Sequence, residues 1–258
     1  MYKSLSHVLA ALMVLACASV AGAQTAAKQP PAKQPQLTPP AQRWSVDFAI
    51  GFDNSISGNI NSSAIGSLNG QTTVILKNKY EDVYGTGLHL RFGGGYMWRE
   101  NQEFRVSFTL QQLDADLVQL GEYGAATLYG QYDDYESFSL DLGFRHYMPL
   151  RNTLRAYGEG LLGLGFVSEN DVILAAPQAN LVGDATDFYD TTAAFTLGIN
   201  VGMMGEVRKN VDVFGQLGLR FVTGMSQPDN LFGSGLEEIN DNSSRWAIPF
   251  SVGVRFRF

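Results

Sequence analysis

WAIPFSVGVRFRF, residues 246–258, closes the sequence, and its reading decides the rest. Large apolar side chains stand at every second position: Trp246, Ile248, Phe250, Val252, Val254, Phe256 and Phe258. Between them lie Ala247, Pro249, Ser251, Gly253, Arg255 and Arg257. A period of two is that of an extended strand with one apolar and one polar face. The question it raises is which solvent each face meets.

Working outward, seven more stretches repeat the pattern. Their apolar rows run Trp44–Phe52, Leu88–Trp98, Phe104–Leu110, Phe138–Phe144, Leu154–Phe166, Ala193–Met203 and Val211–Phe221. The connections alternate as well. Short polar turns, RENQ (99–102), MPLRNT (148–153) and VRKN (207–210), join strands 2 to 3, 4 to 5 and 6 to 7. The other four connections are long, at roughly 54–83, 112–137, 167–191 and 222–244. Short turns at one end and long loops at the other mark an up-and-down transmembrane barrel. The predicted fold is all-β, an eight-stranded antiparallel barrel over residues 43–258.

The polar rows settle the orientation. They carry Asp47, His89, Arg91, Arg105, Asp141, Arg145, Arg155, Glu159, Glu206, Asp212, Arg220, Arg255 and Arg257, with almost no Lys. A planar guanidinium suits a confined ion-paired interior better than a flexible ammonium does. Each Arg turned to hydrocarbon at midplane would cost about 2–4 kcal/mol. The charged rows are therefore expected to point inward, with Arg91, Arg105, Arg145, Arg220 and Arg255 pairing with Asp47, Asp141, Glu159 and Glu206. The apolar rows are expected to face lipid. Trp44 and Trp98 at the short-turn end and Trp246 at the long-loop end would form interfacial girdles.

Composition agrees. Gly 28, 12% aromatic and only 17% charged residues suit strands and turns. Mean hydropathy is −0.05, and past the N-terminus no apolar run is long enough for a membrane helix. Residues 1–23 read as a signal peptide: Lys3, the apolar run HVLAALMVLACASV, then Ala21-Gly22-Ala23. The alternative is lipidation of Cys17, the sole cysteine, in Val14-Leu15-Ala16-Cys17. Residues 24–42, rich in Pro, Gln and Ala, read as a disordered linker.

At this point residues 43–258 resemble the small eight-stranded outer-membrane barrels of the OmpA, OmpX and OmpW type. The eight alternating segments, LRFGGGYMW (90–98) and the terminal FSVGVRFRF (250–258) carry the resemblance. It implies a bacterial outer-membrane location among lipid and lipopolysaccharide. It also implies that Val252, Val254, Phe256 and Phe258 are the signal read by the barrel assembly machinery.

Chemistry is sparse. Gly158-Glu159-Gly160-Leu161-Leu162-Gly163 matches G-x-G-x-x-G but continues in strand period, without the helix that a dinucleotide site needs. His89 could pair with Ser107 or Asp141, yet no catalytic motif surrounds it. Two remote histidines give no metal site, and no cofactor is expected. The long loops are acidic, carrying for example Asp114, Asp116, Asp133, Asp134, Asp171, Asp187, Glu237 and Glu238, and the chain has net charge −7. That sign disfavours nucleic acid. The expected role is structural or surface contact through solvated acidic loops, not catalysis. The alternatives are a narrow porin-like channel and an enzyme acting on outer-membrane lipid.

Overall fold

The computed structural model describes residues 43–258 except 152, 229–230 and 233–234. The predicted signal peptide and linker lie outside the described residues. Along the chain come β1 (Trp44–Ser57), β2 (Ala64–Leu68), β3 (Gln71–Ile75), the one-turn helix α1 (Tyr80–Val83), β4 (Gly87–Arg99) and β5 (Gln102–Leu113). Next are β6 (Val118–Tyr123), β7 (Ala126–Tyr132), β8 (Tyr135–Arg151), β9 (Leu154–Val167), β10 (Asn170–Ala176), β11 (Leu181–Val182) and β12 (Thr186–Tyr189). The chain finishes with β13 (Thr192–Arg208), β14 (Val211–Val222) and β15 (Arg245–Arg257).

Eight of these close a barrel in the order β1-β15-β14-β13-β9-β8-β5-β4, with β4 pairing back to β1. Every pairing is antiparallel, so no edge is left with unpaired N–H and C=O groups. The seam is made by the C-terminal stretch, β15 paired to β1. Phe48 faces Val254, Ile50 faces Val252 and Phe52 faces Phe250. The Phe258 N–H donates to the Trp44 carbonyl at 2.8 Å, which ties the two ends of the barrel wall together.

Burial runs opposite to that of a water-soluble protein. In β1 the pattern alternates strictly, with Trp44, Val46, Phe48, Ile50 and Phe52 exposed and Ser45, Asp47, Ala49, Gly51 and Asp53 buried. β4 and β5 follow the same rule closely, and the other wall strands follow it with half-buried positions, most of all β14 from Leu217 to Phe221. A continuous apolar belt of this extent has no stable state in water, whereas hydrocarbon accepts it. The wall is membrane-embedded.

The long connections differ from the solvated loops expected above. They fold into a second sheet, ordered β11-β10-β7-β6-β3-β2 with β12 paired to β10. Strands β2 and β3 form a hairpin turning on Asn69-Gly70, both at positive φ, as a tight two-residue turn requires. Beneath the sheet lies a separate apolar core that includes Ile60, Val83, Leu113, Leu120, Leu128, Tyr132, Val172, Phe188, Tyr189 and Leu236. Their acidic residues look outward, and alternate positions in each short strand supply this core. This cap sits at the long-loop end. The short turns are also tighter than read from sequence: β8 runs on through Pro149 to Arg151, and Arg151 pairs with Leu154.

Candidate functional site

The lumen is stacked with ion pairs. Towards the short-turn end, Glu103 accepts from Arg255 Nη1 at 2.9 Å and from the Ser45 hydroxyl at 2.8 Å, and the Tyr147 hydroxyl donates to it. Arg105 donates to Asp47 and places Nε 2.8 Å from Glu159. At mid-barrel Glu159 also takes Arg91 and Arg145, each at 3.2 Å, and the Asn200 amide at 2.9 Å. Higher up, Arg220 Nη2 meets Asp141 at 3.2 Å and donates to the Ser139 hydroxyl at 2.8 Å. Arg245 meets Asp53 at 3.1 Å and packs its guanidinium 4.8 Å from the Tyr135 ring. Arg145 lies 4.0 Å over Tyr157.

Eight of the nine residues expected in this network line the lumen. Glu206 does not. It sits exposed at the short-turn rim, 3.0 Å from Arg257, because β13 leaves the barrel wall within two residues of it. Sequence reasoning missed Glu103, Asp53, Arg245, Tyr147 and Tyr157. Glu103 falls between the turn RENQ (99–102) and the row that begins at Phe104, although it stands in period with Arg105 and Ser107. Asp53 and Arg245 are in phase with Asp47 and Arg255 at the other end of their strands.

The glycine run of β4 has a steric purpose. Gly93 and Gly95 face inward, and a Cβ on Gly95 would sit 1.8 Å from Glu103 Oε1. Only bare backbone leaves space for the carboxylate. Among the described residues the lumen keeps a cavity of about 30 Å³ beside His89, Arg91, Asp141, Asn200, Gln216 and Arg220, room for about two waters, and a smaller one of about 10 Å³ beside Thr109, Ser137 and Ser139.

His89 lines the larger cavity but makes no hydrogen bond to Ser107 or Asp141. Its Nδ1 and the Ser107 hydroxyl are both buried without a partner among the described residues. No group of three His, Cys, Asp or Glu fit to hold a metal ion occurs among them either. Trp44 and Trp98 lie exposed at the short-turn end, and Trp246 lies exposed at the cap end. Val252, Phe256 and Phe258 are exposed on the outer wall, with Val254 half-buried there.

A closed antiparallel barrel with charge inside and an apolar belt outside spans a membrane. It is a membrane-spanning β-barrel. No family model and no curated protein matches the chain. Among solved structures, Neisserial surface protein A is similar at 14% identity and a TM-score of 0.44, over 83% of this chain and 97% of that one. OprG from Pseudomonas aeruginosa gives 13% and 0.40, over 84% and 97%. Ail of Yersinia pestis gives 12% and 0.37, over 84% and 99% in its complex with sucrose octasulfate. Likeness at this level concerns the barrel alone.

The cap holds a second set of buried polar groups. Tyr80, Tyr84, Tyr132 and Tyr189 are all enclosed, and burial pushes each phenol above its ordinary range. The Tyr189 hydroxyl donates to the Ile60 carbonyl, tying β12 to the first long connection. An unfolded tyrosine ionises near pH 10. Because the folded values are higher, the cap's stability is fully present below about pH 10 and is lost as pH rises beyond it. Phenolate absorbance at 295 nm should therefore appear for these four in one cooperative step at a pH above the ordinary tyrosine range, together with loss of the cap. Gradual ionisation near pH 10 would contradict their enclosure.

Proposed function

We propose that the barrel is a closed membrane anchor and that its work is done at the cell surface by the cap. The observation that carries this reading is the pairing of a filled lumen with a loop-built sheet that has its own core. An eight-stranded barrel encloses little more than its own side chains, and here ion pairs occupy that space from Glu103 up to Arg245. The cap presents an acidic face, including Glu122, Asp133, Asp171, Asp184 and Asp187. In this reading its partner is a surface ligand able to meet negative charge, with lipopolysaccharide packed around the upper wall. The row Val252, Val254, Phe256 and Phe258 is the segment offered to the barrel assembly machinery, and the three tryptophans fix the depth of insertion.

The test against the channel reading is planar-bilayer conductance of the purified chain. No resolved conductance steps are expected from the intact protein. Steps of stable size that disappear on Asp141→Asn would instead establish a solute path past the Arg220 layer.

A further inference from the structure

Each of the three short hairpins ends in the same irregularity. Before the turn, two residues stand opposite one: Trp98 and Arg99 opposite Gln102, Leu150 and Arg151 opposite Leu154, Val207 and Arg208 opposite Val211. Such a bulge shifts the in–out alternation by one residue. By strict alternation Arg99, Arg151 and Arg208 would all fall on the lumen row. Because of the bulge each shares the outward row with its partner, next to an exposed apolar neighbour. Arg99 shows the result directly, with its guanidinium 4.5 Å over the Trp98 ring. Among the described residues none of the three has an ion-pair or side-chain hydrogen-bond partner. Lys209 follows Arg208 in its turn and is exposed. Among the described residues, Arg43, Arg99, Arg151, Arg208 and Lys209 at this rim outnumber its exposed acidic side chains, Glu100 and Glu206, and Glu206 is held by Arg257 at 3.0 Å, while the cap end is acidic.

Above Arg208 the outer wall is hollow. The row Phe48–Val254–Val213–Gly205–Leu154 runs straight across five strands, and the next is Ile50–Val252–Gly215–Met203. Gly205 and Gly215 form the floor, and Phe48 and Ile50 rise on one side with Leu154 and Met203 on the other. The groove measures about 670 Å³ and is lined almost wholly by apolar atoms. Val211, opposite Arg208, is one outward position from Val213, about 7 Å along the strand.

We propose that the short-turn rim is a collar for anionic phospholipid, and that the groove seats one acyl chain of a lipid whose phosphate lies on Arg208 and Lys209. The proposal rests on the membrane orientation argued above. Unpaired cations at the end of an apolar trough match a phosphodiester carried on a hydrocarbon chain. A second copy of the chain fits less well, since an isologous contact across this groove would set Arg208 and Lys209 of the two copies against each other.

Native mass spectrometry of the full chain in detergent, with phosphatidylglycerol and phosphatidylethanolamine of the same acyl chains in equal amounts, tests this. The wild type should retain phosphatidylglycerol about tenfold better. Arg208→Gln with Lys209→Gln should remove that preference. Gly215→Leu should cut retention of both lipids, because its Cβ would have open space, with nothing nearer than 4.0 Å, and its side chain would fill the trough. A heat-modifiable gel shift in each variant shows that the barrel is folded. Equal retention of the two lipids by the wild type would overturn the proposal, as would a dimer mass abolished by Gly215→Leu. A chain that stays dispersed without detergent would instead overturn the membrane reading itself.

Discussion

Glu159→Gln should cost the barrel about 3–5 kcal/mol, the range for removing one partner from a buried charge network. Glu159 is buried and holds Arg91, Arg105 and Arg145 at once, at 3.2, 2.8 and 3.2 Å. The amide keeps the shape but removes the charge, so Arg91 and Arg145 lose their carboxylate partner while Arg105 keeps Asp47 and Glu103. Urea unfolding in lipid vesicles, read by gel mobility, should show the midpoint fall accordingly. Lys79→Ala is the contrast. Its pair with Glu81 spans 3.0 Å but is well exposed, and water screens a pair of that kind, so the midpoint should stay near that of the wild type. Equal effects from the two substitutions would mean that the lumen is wet and its charges are screened.

Phe188→Ala should open the cap and leave the barrel standing. Phe188 is buried in the cap core, edge-on to Tyr132 at 5.2 Å and to Tyr189 at 4.8 Å. Its carbonyl also accepts from the Asn240 amide at 3.2 Å, holding the fourth long connection. Removing a buried phenyl ring typically costs about 3–5 kcal/mol. The wall strands reach that core only at their cap-side ends, through Leu113, Tyr135 and Val167, so most of the loss should stay local. Limited proteolysis should cut within 167–191 and 222–244, while the gel shift of the folded barrel persists. Loss of that shift would mean that cap and wall unfold as one unit.

The wall was legible in the sequence because lipid and lumen impose one rule on every strand. A two-residue period, a sign for each face and the alternation of loop lengths were enough to orient all eight strands. Reading failed where that rule stops. Glu103, the partner of Arg255, falls in the gap between the turn at 99–102 and the row that begins at Phe104, although its phase with Arg105 places it inside. Glu206 was assigned to the lumen by phase alone, and the end of the wall leaves it at the rim. The bulges that turn Arg99, Arg151 and Arg208 outward have no sequence mark beyond an apolar–Arg pair ahead of each turn. The cap was hidden for a different reason. Its strands are short, from two to seven residues, and their apolar positions are diluted by Asp, Gly and Asn. Its core is assembled from all four long connections, and no single one carries enough pattern to announce it.

The most direct test of the orientation is depth-resolved quenching along β5. Single cysteines at Val106, Ser107, Phe108 and Thr109, in a Cys17→Ser background, would each carry a fluorophore in vesicles. Quenchers fixed to the acyl chains should reach positions 106 and 108 and spare 107 and 109. Strong quenching at 107 and 109 from within the bilayer, with 106 and 108 shielded, would contradict the account.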